Sequence, residues 1–150
     1  MEYDVSSGQT SNGISLANDF MYVFDGGVAN TTTVNTAGSM YIEAGGKAND
    51  TIVNASGSMS VAGTANKTVV NGSGYWEPGK VSVLDGGVVN STTVNSGGSM
   101  AIDMGGKAND TIVNDCGSMH VLNGGHAGVV VVRVHEQGRS KLLEVAHAGG

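Results

Sequence analysis

Cys116 lies four residues before His120, and a thiol beside an imidazole is the minimal pair for nucleophilic catalysis. Such a pair works when a third group orients the base, and none does so here. Cys116 occupies a turn position that holds Ser56 and Gly97 in equivalent stretches, and His120 falls where Tyr41 and Ser60 stand. Both read as chance occupants of variable positions. Paired carboxylates would suit glycoside hydrolysis, but Glu43, Asp50, Asp85, Asp103 and Asp110 form no repeated pair. His120, His126, His135 and His147 lack metal-ligand spacing. In Gly45-Gly46-Lys47-Ala48-Asn49-Asp50, Lys and Ala stand where a glycine-rich calcium repeat needs Gly. No catalytic, cofactor or metal site is expected.

The elements that would carry any site are set by a repeat. Gly-Gly pairs fall at Gly26, Gly45, Gly86, Gly105 and Gly124, and Val-Asn pairs at Val34, Val53, Val70, Val94 and Val113. Gly-Ser-Met recurs from Gly38, Gly57, Gly98 and Gly117, and most spacings are 19 residues. Segment 26–61 returns as 86–121 with 26 of 36 positions identical, the mark of a duplicated block. With 25 glycines, 13% charged and 5% aromatic residues, the chain cannot fill a broad core. It can fill a narrow one, if each short segment stacks on its neighbour.

Asn49–Val53 is rich in β-branched residues, which favour extended backbone. Asn54 through Gly57 carries turn chemistry, and Met59-Ser60-Val61 alternates with period two, as a second strand does. Two strands and two turns per repeat predict one rung of an all-β, single-stranded parallel β-helix, a β-solenoid of about six 19-residue rungs. Columns that never carry charge should face inward. These are Met40/Met59/Met100/Met119, Ile42/Val61/Ile102/Val121, Thr32/Thr51/Thr68/Thr92/Thr111 and Val34/Val53/Val70/Val94/Val113. Inward threonines then need hydroxyl partners along the stack. Thr31, Asp50, Lys67, Ser91 and Asp110 should see water, so Asp50→Val should be tolerated. The column Asn35/Asn54/Asn71/Asn95/Asn114 belongs at corners, where amides can bond along the axis. The outward column Thr33, Ile52, Val69, Thr93, Ile112 is too mixed for an ice-binding grid.

The repeat domain is expected over residues 1–132, with a variant first rung at about 5–25. An insertion loop, Gly74-Tyr75-Trp76-Glu77-Pro78, holds the only Trp and Pro. Insertions in solenoids map to one face, so Tyr75 and Trp76 are the candidate binding loop, suited to stacking on sugar rings. Past Arg133 the pattern dissolves, and 133–150 reads as an irregular C-terminal cap, linker or tail. Seven Asn-x-Ser/Thr triplets, at Asn30, Asn49, Asn54, Asn66, Asn71, Asn90 and Asn109, follow from a repeat rich in Asn and Thr. The net charge of −6 argues against nucleic acid. No secretory signal follows the acidic Met1–Asp4, and the apolar runs, Val129–Val132 among them, are too short to cross a membrane.

Gly26-Gly27-Val28-Ala29-Asn30-Thr31-Thr32-Thr33-Val34-Asn35-Thr36-Ala37-Gly38-Ser39-Met40-Tyr41-Ile42 resembles the passenger repeats of AIDA-type bacterial autotransporter adhesins, over about residues 5–132. Ser6-Ser7-Gly8-Gln9-Thr10-Ser11-Asn12-Gly13 is similar to their variant repeat. The resemblance implies a right-handed coil, displayed on the cell surface or secreted, that mediates adhesion or aggregation without catalysis. Its partners would be a surface receptor or glycan on host or bacterial cells, or a second copy. Some members are glycosylated on Ser or Thr by heptosyltransferases, which makes outward Ser39, Ser58, Ser99 and Ser118 candidate O-glycan acceptors. The alternative is a carbohydrate-binding or carbohydrate-active β-helix using the Tyr75-Trp76 loop.

Overall fold

The computed structural model describes residues 1–73, 77–136 and 139–149, with side chains described through Arg133. It is an all-strand parallel solenoid. One wall stacks seven short strands, Glu2–Val5, Phe20–Val23, Ser39–Ile42, Ser58–Val61, Lys80–Val83, Ser99–Ile102 and Ser118–Val121. Each pairs in parallel with the next, so Met21, Met40, Met59, Val81, Met100 and Met119 lie in register. There are seven rungs rather than six. Glu2–Val5 is already a rung, although it places Tyr3 where the repeat has Met.

The second wall stacks the longer segments, among them Lys47–Val53, Thr64–Val70, Val88–Val94 and Lys107–Val113, again in parallel register. These are not simple strands. Thr31, Asp50, Lys67, Ser91 and Asp110 all have φ between 52° and 57°. The left-handed residue breaks the two-residue alternation: Ala48 and Thr51, three apart, are both buried, and so is Val53. The rungs with this bend therefore have three straight segments where the repeat predicted two. Asp50 is exposed, as expected, but its positive φ disfavours the proposed valine, although the β-branched Thr31 adopts it in the same column. A β-branched side chain at positive φ is an outlier, so Asp50→Val would strain the bend instead of being tolerated.

Five inward columns make the core. Met and Ile/Val come from the short strand, Ala/Val (Ala29, Ala48, Ala65, Val89, Ala108) from before the bend, and Thr and Val from after it. Long Met side chains on one wall can fill the space that small Ala and Thr leave on the other. Met40, Met59 and Met100 are at most 1% exposed, and Met119 is partly buried on the last short strand. Fully burying each Val, Ile or Met contributes roughly 1.5–3 kcal/mol.

Thr32, Thr51, Thr68, Thr92 and Thr111 are inside, each 1% exposed, but none of their Oγ1 atoms has a hydrogen-bond partner. The expected bonding along the stack is not made. Identical residues lie one strand separation apart, about 4.8 Å, and β-branched side chains packed in one rotamer keep their hydroxyls at that spacing, beyond hydrogen-bond reach. Val has the same shape without the polar atom. Thr68→Val is therefore expected to raise stability by about 1–3 kcal/mol, read from thermal melting followed by circular dichroism. An unchanged or lowered melting temperature would mean that the hydroxyl is satisfied.

Asn side chains take up the polar bonding instead. Asn54, Asn71, Asn95 and Asn114 each donate Nδ2–H to Oδ1 of the Asn one rung before, at 2.7–3.1 Å, and Asn35 donates to Ser15 Oγ at the start. A second ladder, which the sequence reading missed, runs Asn12, Asn30, Asn49, Asn66, Asn90, Asn109 at 2.9–3.0 Å. Each of these amides satisfies the next in a half-buried setting.

The long segment of the last rung, His126–Glu136, is followed by Arg139–Gly149, which pairs with it antiparallel. The described residues 133–136 and 139–149, expected to be irregular, thus lie in these two strands. This pairing covers the edge of the apolar Val129–Val132 run, which would otherwise be a template for aggregation.

Candidate functional surface

Each turn puts different residues on the lateral surface. The turns after the short strands carry the Gly-Gly pairs, and those after the long segments carry the glycines that precede Ser39, Ser58, Ser99 and Ser118. The four serines open four of the short strands, in one column with Phe20 and with Lys80, which stands between Ser58 and Ser99. Ser39, Ser58 and Ser99 are half-buried and Ser118 is exposed. The hydroxyls of Ser39 and Ser58 are hydrogen-bonded at 3.2 Å.

Of the predicted loop, Glu77–Pro78 pairs antiparallel with the preceding Gly72–Ser73. Tyr75 and Trp76 lie outside the described residues. The Asn of every Asn-x-Ser/Thr triplet belongs to one of the two ladders, which assigns the triplets a structural use. Cys116 is exposed at a left-handed turn position (φ 63°), and its Sγ donates to Asp115 Oδ1 at 3.7 Å. His120 is exposed beside Ala101. Among the described residues no three His, Cys, Asp or Glu side chains gather as metal ligands.

The left-handed bend makes the rod concave. A groove of about 510 Å³ runs along it, between the column of Asp50, Lys67 and Ser91 and the column of Thr33, Ile52, Val69 and Thr93. It continues past Thr93 toward Ile112 and Val131 as a second hollow of about 260 Å³. Ile52 is 40% exposed at its floor. The sequence showed the outward column, but the bend that makes it a groove has no residue signature.

A second feature escaped sequence reasoning. Phe20, Tyr22 and Phe24 alternate outward from one strand, and Tyr41 sits in register above Tyr22. The Tyr22 and Tyr41 rings stack at 5.1 Å and 12°, and Tyr22 and Phe24 at 6.1 Å and 17°. Phe20 and Phe24 are 43% and 38% exposed. The signal was available as Phe-Met-Tyr-Val-Phe, whose even-odd pattern sends Met21 and Val23 inward and every ring outward. Next to this face, the Met1 ammonium lies 3.1 Å from Asp19 Oδ1. Together with the Ala17 N–H, it holds the Asp19 carboxyl below its ordinary range.

Stacked parallel coils with glycine turns and Asn ladders define a parallel β-solenoid. Residues 16–74 match the family model of AIDA, described as adhesin of bacterial autotransporter system, probable stalk. Among solved structures, the chain is similar to the TibC-catalysed hyper-glycosylated fragment 55–350 of TibA, with a TM-score of 0.81 and 30% identity. That likeness covers 91% of this chain and 51% of the other, so the chain spans about half the length of its structural relative. No curated protein matches the sequence. The matched family is an adhesin stalk, a non-catalytic kind of protein.

Proposed function

We propose that this chain is a non-catalytic, rod-forming segment of a bacterial adhesin, exposed at the cell surface or secreted, which supports adhesion or aggregation by presenting its lateral faces. The observation that carries the reading is the in-register stack of apolar, Thr and Asn columns along the coil. Such a stack uses its side-chain variety on the outside and leaves the interior to stiffness. The match of residues 16–74 to an adhesin stalk supports it. Its partner would be a receptor or glycan on a host or bacterial surface, or another copy.

The test is display on a non-adherent bacterium carrying an otherwise bare autotransporter scaffold. Increased attachment to epithelial cells, or settling of the culture, is the expected result. Attachment and settling equal to the scaffold alone would defeat the reading, as would turnover of polysaccharide by the purified protein.

The similarity to a hyper-glycosylated TibA fragment supports a further part of this proposal, that a glycosyltransferase modifies Ser39, Ser58, Ser99 and Ser118. Co-expression with TibC and mass spectrometry of the intact chain reads it out. Exposed Ser118 is expected to be modified ahead of the hydrogen-bonded Ser39–Ser58 pair. An unchanged mass would remove these four serines as acceptors.

A further inference from the structure

The chain has two Phe, four Tyr and one Trp, and four of these seven rings meet on one outward patch of the first two full rungs. Their neighbours follow from the register. Glu2 lies beside Phe20 and Asp4 beside Tyr22 on the rung before. On the rung after, Ser39 lies beside Phe20 and Tyr41 beside Tyr22, and Glu43, whose N–H bonds to the Val23 carbonyl, follows Phe24. An aromatic row is thus bordered by carboxylates on both sides.

The charge of the molecule is concentrated here as well. Before Lys47 the sequence has five carboxylates (Glu2, Asp4, Asp19, Asp25, Glu43) and no Lys, Arg or His. The rest of the chain carries eight acids against seven Lys and Arg, so nearly all of the net −6 belongs to this end. Asp19 is already paired with the Met1 ammonium, which leaves four carboxylates without a described ion pair. The stack with Tyr41 sets the Tyr22 ring across the column at about the strand spacing. Tyr22 thus stands between Asp4 on the rung before and Tyr41 on the rung after. A cation held between a carboxylate and an aromatic face gains from both the full charge and the ring quadrupole.

We propose that the Phe20–Tyr22–Phe24–Tyr41 face, with Glu2, Asp4 and Glu43 at its borders, is a docking surface for a Lys- and Arg-rich segment of a partner protein. The inference gives the adhesive reading a partner chemistry and rests on it. Exposed rings alone would suit any apolar partner, and exposed carboxylates alone would be solvated surface. Their alternation in one register selects a chain that carries cations on flexible apolar stems, which is what Lys and Arg are. The field of four like charges would also speed encounter with such a chain at low salt.

The test uses the full chain and a fluorescein-labelled ten-residue peptide of alternating Arg and Gly, with a Gln-Gly peptide of equal length as control, followed by fluorescence anisotropy. Binding of the Arg-Gly peptide alone is expected. Tyr22→Ser should weaken it by about three- to fivefold, the worth of one exposed cation–π contact, and Tyr22→Phe should retain it. Asp4→Asn should weaken it at low salt and converge with the parent chain at high salt. Asp103→Asn, on the same wall but four rungs away, should change nothing. Each variant's melting curve shows whether the rod is intact. Equal binding of the Gln-Gly peptide, or equal binding by a folded Tyr22→Ser chain, would overturn the proposal. So would capture of phosphatidylcholine vesicles with no capture of the peptide. Adhesion of displayed cells that persists in Tyr22→Ser/Phe24→Ser would leave the adhesive function standing and remove this surface from it.

Discussion

Val53→Asp is expected to abolish the native rod around the third rung, as lost strand signal in circular dichroism and rapid cleavage in limited proteolysis. Val53 is 0% exposed in the innermost column, between Val34 and Val70. Removing it forfeits roughly 1.5–3 kcal/mol of burial. An unpaired charge in its place costs several kcal/mol more, with only unpartnered threonine hydroxyls among its polar neighbours in the core. The sum is comparable to the 5–15 kcal/mol that holds a typical domain together. Three residues away, Asp50→Asn keeps a side chain that accepts positive φ and should melt within about 0.5 kcal/mol of the parent. Asp50→Val should lose about 1–2 kcal/mol to the strained bend. Equal melting of Val53→Asp and Asp50→Asn would mean that the two columns do not face opposite ways.

Gly57→Ala should be nearly as damaging, although it adds one methyl group. A Cβ on Gly57 would lie 2.6 Å from the Val34 carbonyl oxygen of the rung before, and 3.1 Å from the carbonyl oxygens of Asn35 and Asn54. All three are backbone atoms held by the stack, so no side chain can swing aside. Because Gly57 N–H also closes the turn onto Asn54 O at 2.9 Å, relief requires spreading the rungs. Overpacking of this kind costs typically 1–3 kcal/mol, and here it opens a parallel ladder as well, so a loss of about 3 kcal/mol is expected. Ser56, the residue before, has φ 61°, and Ser56→Gly should be neutral or stabilising. Thermal melting of the two variants side by side decides the matter. If Gly57→Ala melts with the parent, the rungs are looser than this packing implies.

That contrast also shows where the sequence was legible. Monotony without charge was enough to place the Met, Ile/Val, Thr and Val columns inside, because a narrow interior leaves no position where a charge could reach water. The Asn35–Asn114 column was readable for a similar reason: an amide repeated at each corner has its next copy within bonding distance. The bends were not readable. Thr31, Asp50, Lys67, Ser91 and Asp110 vary in type as any exposed strand position does, and nothing in them announces positive φ. In the turns, Ser56 adopts the left-handed backbone and Gly57 provides clearance, a division that the turn chemistry of Asn54 through Gly57 does not reveal. The first rung was overlooked because Glu2–Val5 carries Tyr3 in place of Met and no Gly-Gly precedes it. Without that rung, the acid row beside Phe20 and Tyr22 cannot be seen.

The spacing between bonded amides is 17 residues from Asn54 to Asn71 and 24 from Asn71 to Asn95, yet the two bonds measure 3.1 and 2.9 Å. Seven residues of difference vanish into the turns. In this architecture the length of a turn is nearly independent of the scaffold's integrity, since a longer excursion adds only slowly to the cost of closing it. Sequence can therefore be added to or cut from the corners with little effect on the axis. The coil is free to acquire new contacts at its edges while its interior stays conserved in character, a division of labour suited to a molecule exposed to changing surroundings.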